Sequence, residues 1–177
     1  MFTKKIKNAA AAVALVAFAA PGAGHAVTGP QPSVIDLAVE LNAPGGEFEG
    51  AFDTLLAAVL VADPAVLEAL AGFGQYTVFA PTDDAFAAAG LDPSNIGTLD
   101  EDTLTQILLY HVAQGRLNAD VVTNRDSLRM MFGGRIQQNG GVITDNTGGQ
   151  ATIIVTNQRA ENGIIHAIDA VILPFAL

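Results

Sequence analysis

Along this chain the spacing of apolar residues changes once. Through the first part they recur at helical intervals, and beyond Val121 they fall in short β-rich runs separated by turns. SVIDLAVELN predicts a first helix, closed by Asn42, Pro44 and the pair Gly45 and Gly46. Phe52, Leu55, Leu56, Val59 and Leu60 follow at i, i+3, i+4, i+7 and i+8, a stripe expected to face a core. Asp63 and Pro64 are the residue types of an N-cap and a first helical position, opening a short helix through Val66, Leu67 and Leu70.

YTVFAP then predicts a strand, and TDDAFAAAG a helix stopped at Gly90, with Asp83 and Asp84 near its positive end. A further helix is expected from TLDEDTL, where Thr98 and Glu101 have the separation of a capping box. Its inward positions are Leu104, Ile107, Leu108 and His111, with Tyr110 on a flank and Gly115 as the stop. RIQQ, VITD, ATIIVTNQ and IIHAIDAVIL predict a meander of strands. Helices first and strands afterwards give an α+β architecture, with N-terminal helices packed on a mainly antiparallel sheet. No internal repeat is present, so a single domain is expected over 34–174, followed by a tail at 175–177.

The first residues change the picture. Lys4, Lys5 and Lys7 precede an apolar run from Ala9 to Ala20, shorter than the roughly 20 residues that span a bilayer. Gly24 and Ala26 then sit as at a signal-peptidase site. Residues 1–26 are therefore expected to be a cleaved, bacterial-type secretory signal, and the Pro- and Gly-containing stretch 27–33 a linker. A periplasmic or extracellular location follows, with no membrane insertion after cleavage. No cysteine is present, so stability in an oxidising compartment rests on packing and hydrogen bonds.

All three lysines lie in that leader, so the remainder keeps five arginines against eighteen acids, a net charge of −13. This acidic surface repels phosphate backbones and makes nucleic acid an unsuitable partner.

The candidate chemistry is sparse. The chain has no GxSxG elbow, HExxH pair, GxxxxGK loop or GxGxxG turn. Ser33, Ser94 and Ser127 have no histidine nearby in sequence. Asp100, Glu101 and Asp102 lack the alternating oxygen spacing of a calcium loop and suit a helix terminus. His111 and His166 with Asp169 are the only candidates for a zinc site. Asp169, an odd number of residues from His166, faces away in a regular strand, so core histidines bonded to backbone are the better reading. No catalysis, metal or cofactor is expected.

Three stretches carry a resemblance. YTVFAPTDDAF is similar to the first motif of the fasciclin-like (FAS1) family, with Thr77, Phe79, Pro81, Thr82, Asp83 and Phe86 at matching positions. LLYHV resembles its Tyr-His motif at Tyr110 and His111. NGIIHAIDAVILP resembles the second motif, at Asn162, Gly163, His166, Asp169 and Pro174. The resemblance implies a compact FAS1-type wedge and a role among secreted or cell-surface adhesion proteins, without catalysis. It also associates the Tyr-His region with adhesion, here Tyr110 and His111.

Two functions stay open. One is a secreted binding module for a protein, envelope or matrix component. The other, since some fasciclin-like proteins resemble carotenoid binders, is a carrier of a small lipophilic ligand. LRMMFGG supplies the motive for the carrier, because Leu128, Met130 and Phe132 share one face of an extended segment and methionines make adaptable apolar surfaces. With Tyr110 these three form the candidate interaction or ligand surface; packing within the core is the competing reading.

Overall fold

A computed structural model describes residues 32–175, so the leader, most of the linker and the last two residues lie outside the described region. Helix α1 (Val34–Asn42) opens with a capping box, in which Ser33 Oγ accepts from the Asp36 N–H and the Asp36 carboxylate accepts from the Ser33 N–H. Helix α2 (Asp53–Val61) runs directly into α3 (Pro64–Ala71), whose N-cap Asp63 accepts from the Ala65 N–H at 2.8 Å. Strand β1 (Tyr76–Pro81) leads to α4 (Asp83–Ala88), and a 3-10 turn (Ile96–Thr98) precedes α5 (Glu101–Tyr110).

The second half holds β2 (Val112–Gln114), a short helix α6 (Ala119–Thr123), β3 (Ser127–Arg129), β4 (Arg135–Asn139) and β5 (Val142–Thr144). Two longer strands follow, β6 (Gln150–Ala160) and β7 (Gly163–Ile168). One seven-stranded sheet results, ordered β2-β1-β7-β6-β5-β4-β3. All neighbours are antiparallel except β1 and β7, whose register sets Phe79 against His166. β6 is the central strand, pairing with β5 at its start and with β7 along the rest, and its register against β7 shifts twice between Ile153 and Gln158, where Asn157 has a positive φ of 66°.

The β1–β7 pair has a core on each side, which explains why β7 is buried along its whole length. Ala80, Ile165 and Ala167 face the helices, where they meet Leu55, Val59, Phe86, Leu104 and Leu108. Phe79 and Ile168 belong to a second core with Tyr110, Val122, Leu128, Ile136 and Ile143. Alternation of side chains across a strand divides the two cores.

Several sequence expectations change. Leu60 is 79% exposed, and the inward stripe of α2 runs through Leu55, Ala58 and Val59. The helix starts at Asp53 rather than before Phe52, and in so apolar a segment alanines take seats that hydrophobicity alone assigns to leucine. The N-cap of α5 is Asp100, which accepts from the Thr103 N–H, while the Thr98 hydroxyl turns back to the Asn95 carbonyl. α5 ends at Tyr110 with His111 as its cap, so Gly115 closes the following strand instead. Tyr110 is wholly buried in the second core rather than on a flank. α6 stands where the β-rich run was expected to begin, and the last strand stops at Ile168, short of Ile172.

Candidate functional site

The three sequence motifs converge where α5 meets the sheet. His111, at the end of α5, spans two elements through its ring. Nδ1 lies 2.8 Å from the Ile107 carbonyl, while the Ile172 N–H donates to Nε2 at 3.1 Å. Only the neutral ring protonated at Nδ1 satisfies both, because a carbonyl must receive a proton and an N–H must find a lone pair. Burial pushes the imidazole down to about 4, against the weaker opposing influence of the Ile107 hydrogen bond and the Asp145 charge.

His166 repeats the device in mirror fashion. Its Nε2 lies 2.8 Å from the Leu117 carbonyl, and the Asn157 N–H donates to Nδ1 at 3.3 Å. The neutral ring here carries its proton on Nε2, and burial again lowers its pKa. Phe79 stacks on this imidazole, with centroids 5.8 Å apart. All four ring nitrogens are thus committed to backbone groups, leaving neither histidine a free lone pair for a metal or a substrate proton. Among the described residues no three His, Cys, Asp or Glu side chains gather as metal ligands. Asp169 instead accepts from the Thr152 N–H.

Other motif residues also join elements. Asp83 accepts from the Asp53 and Thr54 N–H groups, so it caps α2, a different helix from its own. Thr82 caps α4. The Thr77 hydroxyl donates to the Gly115 carbonyl and accepts from the Leu117 N–H. Asn162 donates to the Leu70 and Gly72 carbonyls and accepts from the Val34 N–H, tying α3 to the start of α1. Gly163 is required by space: a Cβ there would stand 2.4 Å from the Tyr76 carbonyl oxygen and 2.6 Å from a Val34 methyl. Pro81 ends β1, Phe86 packs in the helical core and Pro174 lies half-buried beyond β7.

The candidate surface disperses. Tyr110 is fully buried, with its hydroxyl donating to the Arg135 carbonyl at 3.1 Å, and burial raises its phenol pKa. Leu128 and Met130 are each 2% exposed and belong to the second core. Phe132 lies beyond the end of β3 and is the only one of the four left partly open. Leu128 and Met130 nevertheless reach the floor of a cleft of about 550 Å³ with Leu117, beside Arg125 and Arg129.

Sequence reasoning missed those two arginines and also Asp145. This buried carboxylate accepts from the Thr147 N–H and hydroxyl, the Gly149 N–H and the Leu173 N–H. The turn DNTGG is its sequence signal, as an aspartate that bonds the backbone two residues on.

Comparison with known proteins agrees with this geometry. The family model described as Fasciclin domain matches residues 50–174. Protein sll1483 of Synechocystis sp. is 42% identical over 133 residues, covering 70% of this chain and 67% of that protein. The transforming growth factor-beta-induced protein ig-h3 of Sus scrofa is 32% identical over 72% of this chain, which spans 18% of its length. Among solved structures, a FAS1 domain pair from the insect cell adhesion molecule Fasciclin I matches with a TM-score of 0.53. That match has 26% identity and covers 70% of this chain and 45% of the other. The chain belongs to the Fasciclin domain family and has its α+β FAS1 fold.

Proposed function

We propose that the chain is an exported, non-catalytic binding module that engages a protein or matrix component of the cell envelope or its surroundings. The observation that carries this reading is that both motif histidines spend every ring nitrogen on backbone groups. The motifs build the scaffold and leave contact to the outer surface, where Phe73 is fully exposed on the loop before β1 and Leu60 largely exposed on α2. Resemblance to a domain pair from an insect cell adhesion molecule supports the same role. Mature protein should begin at Val27 or within a few residues of it, in the secreted or periplasmic fraction. Affinity capture from the native envelope fraction tests the role directly. Enrichment of one component over an inert acidic control, reproduced with both partners purified, is the expected result. Capture equal to the control contradicts it.

A second reading, carriage of a small lipophilic molecule such as a carotenoid, is favoured by the cleft beneath the LRMM segment. Its lining includes the part-exposed Met131 beside Leu117 and Met130. Native mass spectrometry and visible absorbance of protein purified from its own host should show a bound species. A ligand-free mass and a colourless sample would oppose carriage of a pigment.

A further inference from the structure

Nine asparagines occur in the sequence, and two of them, Asn139 and Asn162, are followed by glycine. In an Asn-Gly pair the peptide nitrogen readily reaches the side-chain carbonyl before it, because glycine carries no Cβ to obstruct the approach. The fold treats the two pairs in opposite ways. Asn162 is 7% exposed; its Nδ2 donates to the Leu70 and Gly72 carbonyls at 2.6 and 2.9 Å, and its Oδ1 accepts from the Val34 N–H at 2.8 Å. Gly163 beyond it is wedged against the Tyr76 carbonyl and paired into the sheet.

Asn139 closes β4 at the hairpin to β5, where Gly140 and Gly141 form a two-residue loop between the paired Asn139 and Val142. Their φ angles of 61° and 95° are those of the mirror-image turn that suits a right-twisted hairpin. No atom lies within 4 Å of where a Cβ would stand at either glycine, so the turn packs against nothing. Asn139 is exposed, and among the described residues no protein group holds its side-chain amide and no carbonyl takes up the Gly140 N–H. The tie from the Ile153 N–H to the Gly141 carbonyl lies beyond the reacting atoms. Leaving group and nucleophile are both free here, and bringing them together displaces no packed side chain.

We propose that Asn139 is a site of spontaneous modification, at which the folded protein converts to aspartate and isoaspartate while Asn162 stays intact. The Gly140 nitrogen gives up its proton and attacks Asn139 Cγ. The new N–C bond closes a cyclic imide as the Cγ–Nδ2 bond breaks, and ammonia leaves with that proton. Water then opens the imide: addition at Cγ gives aspartate, and addition at the backbone carbonyl gives isoaspartate, with no change of oxidation state. Asn139 borders a cleft of about 430 Å³ whose other lining residues, Gln137, Gln138, Val142, Thr144 and Gln150, are all uncharged. Either product puts a carboxylate there, and the iso form also lengthens the main chain by a methylene at the Asn139–Val142 pair.

Trypsin separates the two pairs. With no lysine beyond Lys7 it cuts after Arg135 and Arg159, leaving Asn139 on peptide 136–159 and Asn162 on peptide 160–177. Purified protein is held folded at mildly alkaline pH, digested at intervals and read by mass spectrometry. Electron-transfer fragmentation places the change and tells isoaspartate from aspartate. The mass gain of an NH2-to-OH exchange should accumulate at Asn139, mostly as isoaspartate. At Asn162 it should accumulate at least about tenfold more slowly, since the hydrogen bonds of that side chain must open first. In urea, with the fold removed, the two sites should convert at similar rates. Asn139→Gln lengthens the side chain and would have to close a larger ring, so peptide 136–159 should stay unchanged over the same interval. An Asn139 that stays intact in the folded protein overturns the proposal, as does equal conversion of both sites in the folded state. If Asn162 remains the slower site in urea, the fold is not what protects it and that half of the claim falls. A mass gain in peptide 136–159 that persists in Asn139→Gln overturns the placement.

Discussion

Between Val27 and Gln114 the chain carries thirteen acids and no lysine or arginine, whereas from Gly115 onward five arginines meet five acids. The difference follows from the secondary structure. In the helical half, Asp36, Asp63, Asp83 and Asp100 accept N–H groups at helix starts, so carboxylates find partial positive charge in the backbone and need no cation. The strand half has ladders that satisfy their own peptide groups, and it places its arginines along β3, β4 and β6 or in the loops beside α6. The two cores differ as well. The helical one is rich in alanine, valine and leucine, while the strand core gathers Phe79, Tyr110 and four isoleucines and methionines around β3, β4, β5 and β7, namely Met130, Ile136, Ile143 and Ile168. Adjacent residues at the end of α5 serve the two sides: Tyr110 fills the strand core, and His111 ties the helix to the segment after β7.

That division can be broken most severely at His111. His111→Ala removes a packed ring and leaves the Ile107 carbonyl and the Ile172 N–H without their partner, so a loss of about 4 kcal/mol is expected. A melt shifted down by roughly 10 °C would show it. An unshifted melt would mean that α5 and the C-terminal segment hold together without the ring.

Acid probes the same tie without a substitution. The native ring stays neutral down to about pH 4, whereas the unfolded chain takes up this proton near the ordinary imidazole value of 6.5. Stability from this group is therefore complete above pH 6.5 and is lost as pH falls towards 4, by about 3 kcal/mol. His166 acts in the same direction. Urea midpoints measured across that window should fall in the unaltered protein and fall less in His111→Gln. Equal slopes for the two proteins would remove His111 as the cause.

On the strand side, Tyr110→Phe keeps the ring and deletes one hydrogen bond to the Arg135 carbonyl, a loss of about 1 kcal/mol. The smallest effect belongs to Leu60→Ala. At 79% exposure it should change stability by less than about 0.5 kcal/mol, against about 3 kcal/mol for Leu55→Ala on the inward face. Similar urea midpoints for the two leucine variants would restore the stripe read from spacing.

These contrasts also mark what the sequence could reveal. Strands β1, β4, β5 and β6, the Asp63-Pro64 helix start and the burial of His111 are legible because each depends on neighbours in the chain. Leu60 was misplaced because nearly every residue of α2 is apolar, so periodicity has little polar contrast to work with. Tyr110 was assigned to a flank because one helix cannot show that a second core lies on its other side. Asp83 capping a helix 30 residues away, and Arg125 and Arg129 lining one cleft, depend on strand order and register. Local sequence does not encode those relations in any readable form.

The central claim is that both motif histidines are neutral structural ties with opposite tautomers. Nitrogen-15 correlation spectra of the imidazole rings, followed from pH 8 to pH 4, test it most directly. His111 should show its proton on Nδ1 and His166 on Nε2, with neither ring titrating near 6.5 while the protein remains folded. A folded protein in which either ring protonates near 6.5, or in which the tautomers are reversed, would contradict the account.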